Sequence, residues 1–203
     1  MRTDTLITAV AFSLAMVTAA GVSATATGGF QAFTLESSRR LEALRAPRAV
    51  GHLKFTTPEG RQTSLEHYAG KWLVVDFIYT RCETLCLALG SVNALLQQRL
   101  SREIAAGQVQ LLSVSFDPAH DGPEQLVAYR AWHSRSAFGW DLARPSAQDV
   151  TAWLTQFGVV VIPDELGGFA HNAALHIVGP DGRLRSIVDL NDLDQVIRHV
   201  QPR

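Results

Sequence analysis

Trp72-Leu-Val-Val-Asp-Phe-Ile-Tyr-Thr-Arg-Cys-Glu-Thr-Leu-Cys86 is the stretch on which the fold turns. Leu73 to Tyr79 is a dense apolar run broken only by Asp76, the pattern of a buried central strand. It ends at Thr80-Arg81, and the chain's two cysteines, Cys82 and Cys86, follow at once. Leu85, Leu89, Val92, Leu95 and Leu96 then recur at helical spacing and run on into Leu100. A thiol pair therefore stands where a strand hands over to a helix. There the unpaired N–H groups of the first turn and the positive end of the macrodipole favour thiolate over thiol. On a helix, a spacing of four puts two side chains on one face with Cβ atoms ~5–6 Å apart. That separation suits two ligands on one metal ion and, with modest distortion, a disulfide. Spacing alone also fits a structural disulfide or two neighbouring buried thiols.

The 203 residues are 47% hydrophobic and 18% charged, with a net charge of −1. Once the N-terminus is set aside, this suits one globular domain with a full core. There is no basic excess to attract nucleic acid, and two cysteines cannot form a disulfide scaffold. No charge occurs between Asp4 and Glu36, and Leu6 to Val22 is apolar. Residues 1–26 read as a signal peptide, with Ala24-Thr-Ala26 as its cleavage site, or as an uncleaved membrane anchor over residues 5–24. Either way the remainder faces an extracytoplasmic, oxidising compartment, the periplasmic side, where a disulfide persists. Residues 27–46 read as a tether and 47–203 as the folded domain.

Within that domain, Thr57-Pro-Glu-Gly60 marks a turn between His52–Thr56 and Arg61–Ser64, a small added hairpin. After the cysteine helix, Val109 to Phe116 is a second strand, giving a right-handed βαβ unit with parallel strands. Gly122-Pro-Glu124 opens one helix, and Ser146-Ala-Gln-Asp149 opens another that Gly158 stops. Val159 to Ile162 is a short extended run, and Asp164 to Ala170 a loop. Ala173 to Val178 and Leu184 to Asp189 form a hairpin across Gly179-Pro-Asp-Gly182, and a helix from Asn191 to Val200 closes the chain. This order is the α/β thioredoxin-like arrangement, a central mixed sheet flanked by helices, with an N-terminal hairpin added. A thioredoxin pattern has two residues between its cysteines; this chain has three.

Two thiolates leave a metal under-coordinated, and seven histidines compete to complete it. His52, His67, His120, His133 and His199 fall in loops, turns or polar helix faces and read as solvated. His176 lies mid-strand, either facing outward or satisfied within the core. His171 ends a Gly-Gly loop at the mouth of the final hairpin, a position that by itself singles out no role.

From Val50 to Val200 the sequence resembles the Sco/SenC/PrrC family, copper chaperones associated with cytochrome c oxidase assembly. The resemblance is carried by Gly70 to Cys86, by Ser113-Val-Ser-Phe-Asp-Pro118 with Asp121, and by His171-Asn-Ala-Ala-Leu-His-Ile-Val-Gly-Pro-Asp-Gly182. It implies that Cys82, Cys86 and His171 form one copper site, Cu(I) or Cu(II), filled by a copper donor protein. It also implies emptying to a cuproprotein acceptor such as an oxidase subunit. Glu83 and Leu87 stand where many members have proline after each cysteine, and Ala170 where an acidic residue often precedes the histidine. A thiol–disulfide reductase using Cys82 and Cys86 is the alternative, and it leaves His171 dispensable. A peroxidase of the peroxiredoxin type requires threonine three residues before its attacking cysteine, where this chain has Tyr79.

Overall fold

The structure is a computed structural model and describes residues 2–29, 31–82, 85–165 and 167–201. It divides into a unit ending at Arg45 and a second unit that begins at Ala46.

The first unit holds two helices, α1 (Arg2–Ala26) and α2 (Leu35–Arg45). Ile7–Ala26, 20 residues, is by length and composition long and apolar enough to cross a membrane. The segment read as a tether contains α2. Its start is a reciprocal cap, in which the Ser37 N–H donates to Thr34 Oγ1 at 3.1 Å and the Thr34 N–H donates to Ser37 Oγ at 3.0 Å.

In the second unit the chain runs through β1 (Arg48–Ala49), β2 (Lys54–Thr56) and β3 (Gln62–Ser64), then a 3-10 turn at Leu65–Tyr68. β4 (Trp72–Ile78), α3 (Leu85–Arg99), α4 (Ser101–Ala105) and β5 (Val109–Ser115) form the first βαβ crossover. α5 (Pro123–His133) leads to β6 (Trp140–Ala143), and α6 (Val150–Phe157) to β7 (Val161–Pro163) and β8 (Phe169–His171). β9 (Leu175–Val178), β10 (Arg183–Val188) and α7 (Leu193–Val200) complete it. The main sheet is ordered β1-β10-β9-β4-β5-β6. β4, β5 and β6 are mutually parallel, while β9 runs antiparallel to β4 and β10 antiparallel to β9. β2–β3 and β7–β8 are separate two-stranded ribbons.

Buried on both faces, β4 and β5 place Val74, Val75, Ile78, Leu111 and Leu112 at 0% exposure, as their continuous apolar sequences require. The exception in β4 is Asp76, also at 0%. Its Oδ1 accepts from Ser113 Oγ at 2.7 Å and Asn93 Nδ2 at 3.0 Å, and Trp140 Nε1 donates to the same Ser113 hydroxyl at 2.9 Å. One polar knot thus ties β4, β5, β6 and α3 together. Sequence periodicity misses β6. His176 is a satisfied core residue, 1% exposed, with Nδ1 3.2 Å from the Val75 carbonyl and its ring between Phe77 and Phe157.

Candidate metal centre

β4 ends at Ile78, and Tyr79 to Cys82 form a short loop before α3. The Cys82 N–H donates to the Tyr79 carbonyl at 3.3 Å, which folds the loop back, and the cysteine is 8% exposed. Cys82 precedes the helix, while Cys86 lies in its first turn, so the pair does not share one helix face as expected. Glu83 and the side chains of Cys86 and Leu87 lie outside the described residues.

Two aspartates from the corner after β5 pin this loop. Asp121, 0% exposed, accepts from the Thr80 N–H at 3.1 Å, from Thr80 Oγ1 at 2.6 Å and from Ser115 Oγ at 2.6 Å. Burial raises its pKa despite these donors. Asp117 takes Arg81 Nη2 at 2.8 Å and His120 Nδ1 at 2.9 Å. Burial pushes the Asp117 carboxyl upward, but these hydrogen bonds outweigh it and hold the group below the ordinary carboxylate range. The Asp117-Pro118 and Asp121 signal in the sequence is thus the clamp that fixes the approach to Cys82.

His171 arrives on β8, whose ribbon partner is β7, with Val161 opposite His171. A stretch read as loop therefore holds a strand. At its base, Asn172 Oδ1 accepts from the Val160 N–H at 2.7 Å and Asn172 Nδ2 donates to the Gly158 carbonyl at 3.2 Å. The Phe116 ring lies 5.1 Å from the imidazole and 5.3 Å from the Tyr79 ring. One aromatic ring therefore separates His171 from the loop that carries Cys82. Both ring nitrogens of His171 are buried and have no hydrogen-bond partner among the described residues. Burial pushes the His171 pKa down to about 4, so the imidazole is neutral and its lone pair available at physiological pH. Among the described side chains, which exclude that of Cys86, no three His, Cys, Asp or Glu groups converge on one point.

The other histidines are elsewhere engaged. His52 sits 2.6 Å from Glu66, and His199 Nδ1 lies 2.8 Å from the Gln195 carbonyl. His133 is less solvated than its sequence context suggests, since its ring packs against Tyr129 and over Gly90. Sequence reading missed Tyr79 as part of the site. Its hydroxyl lies 3.2 Å from both the N–H and the carbonyl oxygen of Phe169, two residues before His171.

Chemically, a buried thiol at a strand-to-helix junction and a neutral buried imidazole are donors for a soft or borderline metal. The thiol pair by itself also permits disulfide chemistry.

Comparison with known proteins identifies the family and the fold. The SCO1 protein homolog of Bacillus subtilis (strain 168) is 32% identical over 133 residues, 64% of this chain and 68% of that protein. A Stutzerimonas stutzeri protein named "Putative copper-binding protein" is 29% identical over 142 residues, 68% of each. The solved structure of BsSco, described as a member of the Sco family of cytochrome c oxidase assembly proteins with a disulfide switch, superposes with a TM-score of 0.67. It is 29% identical and covers 76% of this chain and 92% of that one, and it shares the thioredoxin-like fold. The model of the SCO1/SenC family matches residues 42–201, so the chain belongs to the SCO1/SenC family.

Proposed function

We propose that this protein is a copper carrier that binds one copper through Cys82, Cys86 and His171 and passes it to a cuproprotein acceptor such as an oxidase subunit. The observation that carries the reading is His171. Its two ring nitrogens are buried without partners among the described residues, a costly arrangement unless one of them serves as a ligand. The relatives add weight, since one is named for copper binding and another for oxidase assembly. Two thiolates suit Cu(I), and the imidazole supports both oxidation states. Cys82 and Cys86 lose their protons on binding, whereas His171 is already neutral. Release proceeds by exchange of these groups for the Cys and His ligands of the acceptor.

In this reading Ile7–Ala26 anchors the chain, residues 27–46 connect it, and residues 47–203 carry the site in an extracytoplasmic, periplasmic compartment. Oxidation of Cys82 and Cys86 to a disulfide removes two electrons and two protons and abolishes binding, so an extracytoplasmic reductant is needed.

The disulfide switch described for BsSco favours one second reading. In it the protein is a thiol–disulfide reductase in which one cysteine attacks, the other resolves, and His171 is dispensable.

Copper titration of the anaerobically reduced protein separates the two. Carriage predicts one copper per chain, a sulfur-to-copper charge-transfer band with Cu(II), and a large loss of affinity in Cys82→Ser, Cys86→Ser and His171→Ala with the fold intact. Parent-like copper binding by His171→Ala contradicts the three-ligand site. Absence of tight binding together with rapid exchange with a disulfide peptide establishes the reductase.

A further inference from the structure

Among the described residues, the ribbon that carries His171 belongs to no larger sheet. There it pairs β7 with β8 alone, and a lone two-stranded ribbon is marginal in water, so its position depends on what it docks against. Its hydrogen-bond alternation shows how it docks. The Asp164 N–H donates to the Gly168 carbonyl at 3.0 Å, and the Asn172 N–H donates to the Val160 carbonyl at 3.4 Å. Antiparallel pairs alternate between hydrogen-bonded and non-hydrogen-bonded steps. The pair Pro163 and Phe169 therefore falls on a non-hydrogen-bonded step, and the N–H and carbonyl of Phe169 point out of the ribbon.

Both outward groups meet the Tyr79 hydroxyl, which accepts from the Phe169 N–H at 3.2 Å and lies 3.2 Å from its carbonyl oxygen. The Tyr79 ring meets the Phe169 ring edge-on at 5.2 Å, and the side chain is 5% exposed. Gly168 leaves room for the approach, since a Cβ there would stand 3.1 Å from the Tyr79 hydroxyl and 2.8 Å from Asp164 Oδ2. Tyr79 is three residues before Cys82 in one direction and holds the residue two before His171 in the other.

We infer that Tyr79 is a positioning residue, a hydroxyl latch that fixes the His171 ribbon against the thiol-bearing loop and so sets the third ligand in register. The inference rests on the three-ligand copper reading for its meaning, though not for its geometry. Phenylalanine at this position keeps the ring contacts with Phe116 and Phe169 and removes the hydroxyl that makes the latch.

The test uses the full chain in detergent micelles, as parent, Tyr79→Phe, His171→Ala and the double variant. In the metal-free proteins, hydrogen exchange of residues 160–172 is followed by mass spectrometry, and Cu(I) affinity is measured by chelator competition. The latch predicts ribbon exchange about tenfold faster in Tyr79→Phe, with β4 and β5 unchanged. It predicts Cu(I) affinity at least tenfold weaker, the usual scale for losing an outer-shell partner. It also predicts no further loss when Tyr79→Phe is added to His171→Ala. Parent-like exchange overturns the latch. An equal affinity loss in both backgrounds overturns the positioning role, because Tyr79 then acts through something other than His171. If His171→Ala binds copper like the parent, the three-ligand reading and the copper role of Tyr79 both fall. Faster ribbon exchange in Tyr79→Phe would still support the latch itself.

Discussion

Two buried ionisable groups with opposite shifts give the folded unit a pH response that is cancelled in the parent and exposed by mutation. Burial raises the Asp76 pKa from 3.8 to about 6. The native state therefore holds that proton more tightly than the unfolded chain. Its stabilising contribution is full below pH 4 and is lost as pH rises through 6. At about 1.4 kcal/mol per pKa unit, the loss is roughly 3 kcal/mol. His171 is opposite, since burial lowers its pKa from 6.5 to about 4. Its contribution is full above pH 6.5 and is lost as pH falls through 4, again by roughly 3 kcal/mol. Across pH 4–6.5 the two nearly offset. Asp76→Asn removes the first titration, so stability should rise by about 3 kcal/mol from pH 4 to 6.5. His171→Ala removes the second, so stability should fall by a similar amount over the same range. At pH 7.5, Asp76→Asn itself should be nearly neutral. The charge no longer has to be buried, but an amide N–H then occupies the place of Oδ2, which has no partner among the described residues. Urea unfolding of residues 46–203, followed by fluorescence of the buried Trp140 and Trp153, reads these slopes directly. Asp117, Asp121, His133, Glu59, Glu66 and Asp181, whose pKa values are also shifted, add the same background to all three proteins. Parallel pH curves for the parent and both variants would refute the reasoning.

Gly90→Ala should destabilise by about 1–3 kcal/mol in urea unfolding, because its Cβ would meet the His133 ring within 2.2–2.6 Å, and adding His133→Ala should recover much of the loss. Trp140→Phe deletes the Nε1 donor to Ser113 in the Asp76 knot and should cost about 1–3 kcal/mol by the same measurement. Asp121→Ala strips the acceptor from Thr80 and Ser115. It should cost about 3 kcal/mol and accelerate hydrogen exchange in residues 79–82, ahead of any change in β9 or β10.

The parts legible in the sequence were those written in local pattern. The apolar run of β4, the second apolar run from Val109 to Phe116 at β5, and the Gly179-Pro-Asp-Gly182 turn each specify their element within a few residues, and each lies where its pattern puts it. The corner at Asp117 and Asp121 was visible as a motif. Its function as a clamp on Thr80 and Arg81 depends on contacts some 40 residues apart in the chain and is written nowhere locally. Asp76 stood out as an interruption, yet its partners come from α3 and β5, with β6 tied in through Trp140, and no periodicity joins those segments. β6 escaped because its four residues lie between two helices with no hairpin turn to mark them, whereas the equally short β9 is marked by Gly179-Pro-Asp-Gly182. β7 overlaps the extended run at Val159 to Ile162, but β8 and its pairing escaped because Gly167-Gly168 reads as loop and because the ribbon's contact with Tyr79 lies 90 positions away in the chain. The α2 helix has a local signal in the Thr34 to Ser37 cap, but the polar residues around it carry no apolar stripe to mark a helix.

X-ray absorption at the copper edge, on the Cu(I)-loaded parent and on His171→Ala, reads the three-ligand site itself. Binding by Cys82, Cys86 and His171 gives two sulfur and one nitrogen scatterers in the parent and loss of the nitrogen in the variant. Identical sulfur-only spectra from both proteins would contradict it.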